Sequence, residues 1–217
     1  DIKTTSYFKG YAMTAITAIT AQNTVGVQSI YPLPKEIVME QINSITTDLS
    51  PDIVKIGMLA DLDIIEYISK KISNYKIVLD PVMVATSGDV LVSDEVVSSI
   101  KNNLINKSFL ITPNIYEAEI LSENKINCLE DQIEVGKNLL RLGCKHVLVK
   151  GGHGNSDIIN DVFITSSGDE YIFKSKKIIS KNTHGTGCSL ASAIATNIGL
   201  GIDIKESIKL SIKYVQN

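Results

Sequence analysis

The stretch Asp61-Leu62-Asp63-Ile64-Ile65-Glu66-Tyr67-Ile68-Ser69-Lys70-Lys71-Ile72, followed by Lys76-Ile77-Val78-Leu79-Asp80-Pro81, decides the fold class. Ile64, Ile65, Ile68 and Ile72 recur at helical spacing, so the first part reads as an amphipathic helix. Ile77-Val78-Leu79 is a short apolar run closed by Asp80 and Pro81, as expected of a strand buried on both faces. The same alternation extends in both directions. Asp52 to Gly57, Phe109 to Thr112 and His146 to Lys150 repeat the strand type, and Ala12 to Thr20, apolar and rich in Thr and Ile, reads as the first of them. Lys35 to Thr47 (Ile37, Val38, Ile42, Ile45), Ser93 to Ile105 and Ile133 to Leu142 repeat the helical type. Strand alternating with helix predicts an α/β protein with a parallel sheet covered on both faces.

One segment breaks the alternation. Val162-Phe163-Ile164 and Tyr171-Ile172-Phe173 flank Ser166-Ser167-Gly168-Asp169, which predicts an antiparallel hairpin appended to the sheet. Two helices follow, Gly187 to Ile198 and Asp203 to Val215, the second opened by an Asp203-x-x-Glu206 capping box. No repeat, linker or low-complexity tract interrupts the chain.

With 217 residues, 44% of them hydrophobic, the chain can bury a full core, and one domain over 1–217 is the expectation. The 21 basic and 24 acidic residues are interspersed and the formal net charge is -3, so neither nucleic acid nor a membrane surface is expected as partner. No apolar run reaches the length of a membrane span, and Asp1-Ile2-Lys3-Thr4 resembles no signal or transit peptide, which predicts a cytoplasmic protein. Cys128, Cys144 and Cys188 are odd in number without Cys-x-x-Cys spacing, against a disulfide framework or a structural zinc site. His146, His153 and His184 also lack metal-ligand spacing. The chain starts without Met and ends in Lys213-Tyr214-Val215-Gln216-Asn217 with a helical pattern still running, so both ends are expected to be cut.

In doubly wound sheets the ligand lies at the carboxyl ends of the strands, so the polar residues closing the strands matter most. Asp80 either caps a loop or helps place Mg²⁺ through water. Asn114 and Glu117, spaced i, i+3 after Pro113, are either a helix-capping pair or oxygen ligands for a hard cation bridged to phosphates. Lys150, followed by Gly151 and Gly152, is either a solvated strand exit or an ammonium for nucleotide phosphates. Gln22 either satisfies loop backbone or answers the ring nitrogen and exocyclic amine of an aminopyrimidine. His153 and His184 read as loop histidines.

Asn182-Thr183-His184-Gly185-Thr186-Gly187-Cys188-Ser189, running into Leu190-Ala191-Ser192-Ala193-Ile194-Ala195, carries the strongest functional signal. Two glycines permit a tight turn, and the helix behind them aims free N–H groups out of it, a geometry that holds an anion such as a phosphoryl group. It is not a Walker A loop, because no Gly-Lys-Ser/Thr follows. Cys188 is either a small apolar residue or a base. At a helix N-terminus its thiol is expected to ionise more easily than a free cysteine.

Ala21-Gln22-Asn23-Thr24-x-Gly26-Val27-Gln28, Lys55-Ile56-Gly57-Met58-Leu59, Leu79-Asp80-Pro81-Val82-Met83, Thr112-Pro113-Asn114-x-x-Glu117, Lys150-Gly151-Gly152-His153 and Asn182 to Cys188 together resemble the hydroxymethylpyrimidine/phosphomethylpyrimidine kinases of thiamine biosynthesis. The match is in order and spans nearly the whole chain. The resemblance implies a ribokinase-like three-layer α/β/α sandwich with a mostly parallel central sheet. It also implies phosphorylation, by ATP with Mg²⁺, of 4-amino-5-hydroxymethyl-2-methylpyrimidine and then of its monophosphate. It makes Cys188 the catalytic base, with Gly185, Thr186, Gly187 and Cys188 as the anion hole, and lines the pyrimidine site with Gln22, Met58 and Asp1. Asp80, Asn114 and Glu117 would serve the metal and phosphates, and Lys150 and Thr183 the nucleotide.

Two departures from the family accompany it. The family's opening strand and glycine-rich loop, which end just before an Asp matching Asp1, do not stand in this sequence. Many sugar kinases of the superfamily carry Asp where Cys188 stands, which fits pyrimidine or pyridoxal kinases better. Pyridoxal kinase is therefore the alternative activity, a non-catalytic ligand-binding relative a third, and a homodimer is allowed for.

Overall fold

The structure, a computed structural model, describes residues 1–23, 26–84, 91–152, 157–178 and 185–216. In chain order the elements are α1 Ile2–Tyr7, β1 Ala18–Gln22, β2 Val27–Pro32, α2 Lys35–Asp48, β3 Val54–Ile56, α3 Leu62–Lys71, β4 Ile77–Leu79 and α4 Asp94–Asn103. They continue with β5 Leu110–Ile111, α5 Ile115–Ser122, α6 Leu129–Leu140, β6 His146–Val149, β7 Ile158–Ile164, β8 Glu170–Lys176, α7 Thr186–Gly199 and α8 Ile204–Val215.

A six-stranded sheet in the order β3-β4-β5-β6-β7-β8 forms the middle layer. Strands β3 to β6 pair in parallel, and β7 and β8 add the antiparallel hairpin expected from the Ser166 to Asp169 turn. Side chains alternate across this sheet with the period of two that a pleated strand imposes. Ile77, Leu79, Ile111, Val147 and Val149 join the core formed with α2 to α6. Val78, Leu110, Leu148 and Phe163 join the core beneath α7 and α8. Helices on both faces of a mostly parallel sheet make a three-layer α/β/α fold.

The helices form where the sequence dictates. In α3, Asp61 caps the first turn by accepting from the Ile64 N–H at 2.9 Å, while Ile64, Ile65 and Ile68 are buried. Lys70 and Lys71 in its last turn suit the negative end of the helix dipole. Helix α6 begins at Leu129, four residues before the expected Ile133.

Two expectations need correction. Ala12 to Thr20 does not supply a buried parallel strand. Only Ala18–Gln22 is strand, and it pairs antiparallel with the unanticipated β2 in a separate two-stranded ribbon, with Ile19 opposite Tyr31. Ile16, just before the strand, and Ile19, within it, are 52% and 56% exposed, so these apolar residues find no core to bury in. At α8, Asp203 accepts from the Lys205 and Glu206 N–H groups, but Glu206 turns to Lys209 at 3.4 Å, so only the N-cap half of the expected capping box is present. The complete capping box lies at the start of α5.

Candidate active site

Strands β4, β5 and β6 end side by side, and the residues that close them converge. Asp80, 1% exposed, follows β4, and its backbone N–H donates to Ile56 at the end of β3. The Lys150 ammonium, at the end of β6, lies 2.7 Å from Asp80 Oδ1, and the Thr112 hydroxyl at the end of β5 donates to the same oxygen at 3.0 Å. Burial alone would push the Asp80 carboxyl up, but Lys150, Lys55 and the two hydrogen bonds outweigh it and hold the group below the usual carboxylate range. Lys150 shows the mirror image: burial opposes its charge, yet Asp80 and Glu117 keep its pKa raised.

Helix α7 completes this side. Gly185 is its N-cap in the left-handed conformation, φ 78°, with open space where a Cβ would stand, so glycine is required for the backbone angle and not for room. A Cβ on Gly187 would lie 3.2 Å from Lys150 Nζ, so the ammonium rests against the first turn of the helix. Gly185, Thr186, Gly187 and Cys188 thus face the Asp80–Lys150 pair across one cavity of about 1170 Å³. Thr183, with Asn182, His184 and His153, lies outside the described residues.

Asn114 and Glu117 line the same cavity and form a full capping box. The Asn114 side chain accepts from the Glu117 N–H at 2.9 Å, and Glu117 Oε2 accepts from the Asn114 N–H at 2.8 Å. The capping and ligand readings are therefore compatible, because each carboxylate oxygen keeps a lone pair. Glu117 is 2% exposed, and burial, with Asp80 adding to it, pushes its carboxyl up to about 7 against the pull of Lys150 and two N–H groups. Among the described residues no group of three or more His, Cys, Asp or Glu gathers as a metal cage. Two buried carboxylates beside a lysine and a helix N-terminus instead suit a hard cation that arrives with phosphates and keeps its waters.

This acidity has a measurable consequence. A carboxyl near 7 when folded and near 4.5 when unfolded contributes stability that is full below pH 4.5 and lost as pH rises through 7. Glu117→Gln removes that loss. The stability of the variant relative to the parent protein is expected to rise by about 3 kcal/mol between pH 4.5 and pH 8, by urea unfolding without nucleotide or Mg²⁺. A gap that stays flat with pH would assign Glu117 an ordinary acidity.

Cys188 corrects an expectation. Its thiol is pushed above the usual cysteine range, first by burial and then by the Asp80 carboxylate, while Lys55 and Lys150 pull the other way. The helix terminus does not make it an easily ionised thiol, because the same turn also buries it against a carboxylate.

The expected pyrimidine-site residues divide. Asp1 and Met58 line a second cavity of about 700 Å³, where the Thr17 hydroxyl donates to the Met58 carbonyl at 3.1 Å. Gln22, by contrast, is exposed near the tip of the β1–β2 ribbon and lines neither cavity.

Three residues escaped the sequence reading. Thr112 stands in a quoted segment without a role. Lys55 and Asp161 are charges inside apolar strands, and that conflict was their signal. Asp161, 6% exposed, accepts from the Gly151 N–H at 2.8 Å, and burial raises its carboxyl to about 6. A side chain on Gly151 would overlap the Asn160 carbonyl, so only glycine lets the chain turn there behind Lys150.

A family model described as phosphomethylpyrimidine kinase matches residues 1–217. The hydroxymethylpyrimidine/phosphomethylpyrimidine kinase of Bacillus subtilis (strain 168) is 40% identical over 220 residues, covering 100% of this chain and 81% of that protein. The crystal structure of phosphomethylpyrimidine kinase from Clostridium difficile 630 superposes with a TM-score of 0.87 at 37% identity, over 99% of this chain and 89% of that one. The pyridoxal kinase of Staphylococcus aureus, in complex with AMP-PCP and pyridoxal, superposes with a TM-score of 0.89 at 27% identity, over 100% of this chain and 79% of that one.

Proposed function

The chain belongs to the phosphomethylpyrimidine kinase family, and from that premise we propose that it phosphorylates the hydroxymethyl group of 4-amino-5-hydroxymethyl-2-methylpyrimidine and then the resulting monophosphate, using ATP, in the cytoplasmic route to thiamine. The observation that carries this reading is the meeting of Cys188, the Asp80–Lys150 pair and the first turn of α7 in one cavity. Phosphoryl transfer asks a protein mainly for positioning and charge stabilisation, and these groups supply both.

In this reading Cys188 accepts the proton of the acceptor hydroxyl while that oxygen bonds to the γ-phosphorus and the bridge to ADP breaks. The N–H groups of Gly185 to Cys188 and the Lys150 ammonium take up the negative charge on the transferred group. Asp80, Glu117 and Asn114 would hold Mg²⁺, which supplies further neutralisation of the phosphate oxygens. Thr183 belongs to the nucleotide site, and Asp1 and Met58 to the acceptor site. Residues 1–217 act as one kinase domain.

A second reading is favoured by one observation, the likeness to a pyridoxal kinase. Gln22 discriminates between the two, because a carboxamide answers both the acceptor nitrogen and the donor amine of an aminopyrimidine. Its exposed position requires the β1–β2 ribbon to close over the bound acceptor. Gln22→Leu is expected to lower kcat/KM for the pyrimidine by about 10- to 100-fold and to affect pyridoxal less. The deciding experiment is ADP release with the pyrimidine alcohol, its monophosphate and pyridoxal offered separately. More efficient use of pyridoxal would replace the first reading with the second.

A further inference from the structure

The proposed activity uses two acceptors that differ in one respect. The first presents a neutral hydroxymethyl group, the second a phosphate carrying about -1.5 to -2 charges at neutral pH. Asp80, buried and held ionised by Lys150, lines the cavity in which the proposed transfer takes place, and it repels the second acceptor far more than the first. A cation on the acceptor side would offset that repulsion. Lys150 is committed elsewhere, held at 2.7 Å by Asp80 and packed against the first turn of α7, where the nucleotide phosphates are read to bind.

Among the described residues, Lys55 is a second lysine whose charge acts on Asp80 and Cys188. It is the middle residue of β3 and its side chain is only 12% exposed. The ammonium folds back over the end of its own strand, 3.0 Å from the place of a Cβ on Gly57, and lies 3.0 Å from the Asp1 carboxylate. It lines the second cavity with Asp1 and Met58, while its charge acts on both Asp80 and Cys188 in the first. Lys55 thus lies in the cavity of Asp1 and Met58, on the strand next to the one that Asp80 closes. Its contact with Asp1, at 3.0 Å, is longer than the 2.7 Å contact of Lys150 with Asp80, so that pair is the weaker of the two and open to exchange. Glycine at position 57 leaves the ammonium room to move toward an incoming anion.

We propose that Lys55 receives the phosphate of the monophosphate acceptor, releasing Asp1, and so sets the enzyme's capacity for the second phosphorylation. This rests on the proposed kinase reading, and its test separates the two. With Lys55→Met, kcat/KM for the monophosphate is expected to fall at least about 30-fold further than kcat/KM for the alcohol, the usual scale for removing one member of a desolvated charge pair. Any loss common to both acceptors reports the charge lent to Cys188, and only the difference reports the phosphate. Lys55→Arg is expected to restore most of the difference. Equal losses on both acceptors, or no loss, would overturn the proposal.

Calorimetric binding of the pyrimidine monophosphate, without nucleotide, gives a readout independent of turnover. Lys55→Met is expected to weaken it about 30-fold. Asp1→Asn, which leaves Lys55 in place, is expected to tighten it, because the competing carboxylate is gone. Weaker binding in Asp1→Asn would make the pair structural and overturn the proposal even if Lys55→Met failed to fold. Protein that phosphorylates neither acceptor refutes the kinase reading, whereas monophosphate binding insensitive to Lys55 refutes this one.

Discussion

Replacing Cys188 by Ala is expected to lower turnover of the pyrimidine alcohol by about 100-fold or more while nucleotide binding persists, the scale of a lost general base. Burial and Asp80 push the thiol up, so near neutral pH only a small share of the free protein carries a thiolate. The rate of the parent protein should therefore rise with pH beyond neutrality, and Cys188→Ala should abolish that rise along with most of the rate. Lys55 and Lys150 are the groups facing the thiol that favour its ionised form, and Asp80 is the one that opposes it. A pH profile of kcat/KM for both proteins, with ADP affinity measured alongside, checks all of this. Near-normal turnover in Cys188→Ala would return the residue to packing.

Much of the fold was legible because its strands are short and buried on both faces. Ile77-Val78-Leu79 has no polar side, so a parallel central strand was the one reading that placed it, and the helices beside it carried their own spacing and caps. The hairpin was equally plain from its turn residues. The β1–β2 ribbon was not legible, because Ile16, Ile19 and Tyr31 are apolar residues that remain exposed, and hydropathy cannot distinguish them from a core strand. At the site, strand-closing positions announced Asp80, Asn114, Glu117 and Lys150. Their energetics did not follow from spacing, since the acidities of Glu117 and Cys188 depend on depth of burial and on which charges face them. Lys55 and Asp161 were visible as charges in apolar runs, and such local conflicts are where a sequence departs from folding rules for the sake of a site.

Breaking the Asp80–Lys150 pair is expected to be the most damaging single change to stability. In Lys150→Met the Asp80 carboxylate, 1% exposed, keeps the Thr112 hydroxyl, the Cys188 thiol and the more distant Lys55. Removing one partner of a buried pair costs about 3–5 kcal/mol, which for a chain of this size lowers Tm by roughly 10 °C. The pH dependence has a defined sign. In the parent protein Asp80 is held below the usual carboxylate range, so its contribution is present above that range and lost as pH falls through the depressed folded value. In the variant, burial without Lys150 raises the same carboxyl, so its penalty grows as pH rises and vanishes once Asp80 is protonated. Lys150→Met should therefore lie closest to the parent protein at acidic pH and furthest from it near pH 8. The double variant Asp80→Asn/Lys150→Met removes both charges of the pair and should recover much of the loss while remaining inactive, because the phosphates have lost their ammonium. Thermal unfolding of the three variants at pH 5.5 and pH 8 decides the matter. A single-variant loss under about 1 kcal/mol at pH 8 would mean that the pair is solvated and that Asp80 is free for another role.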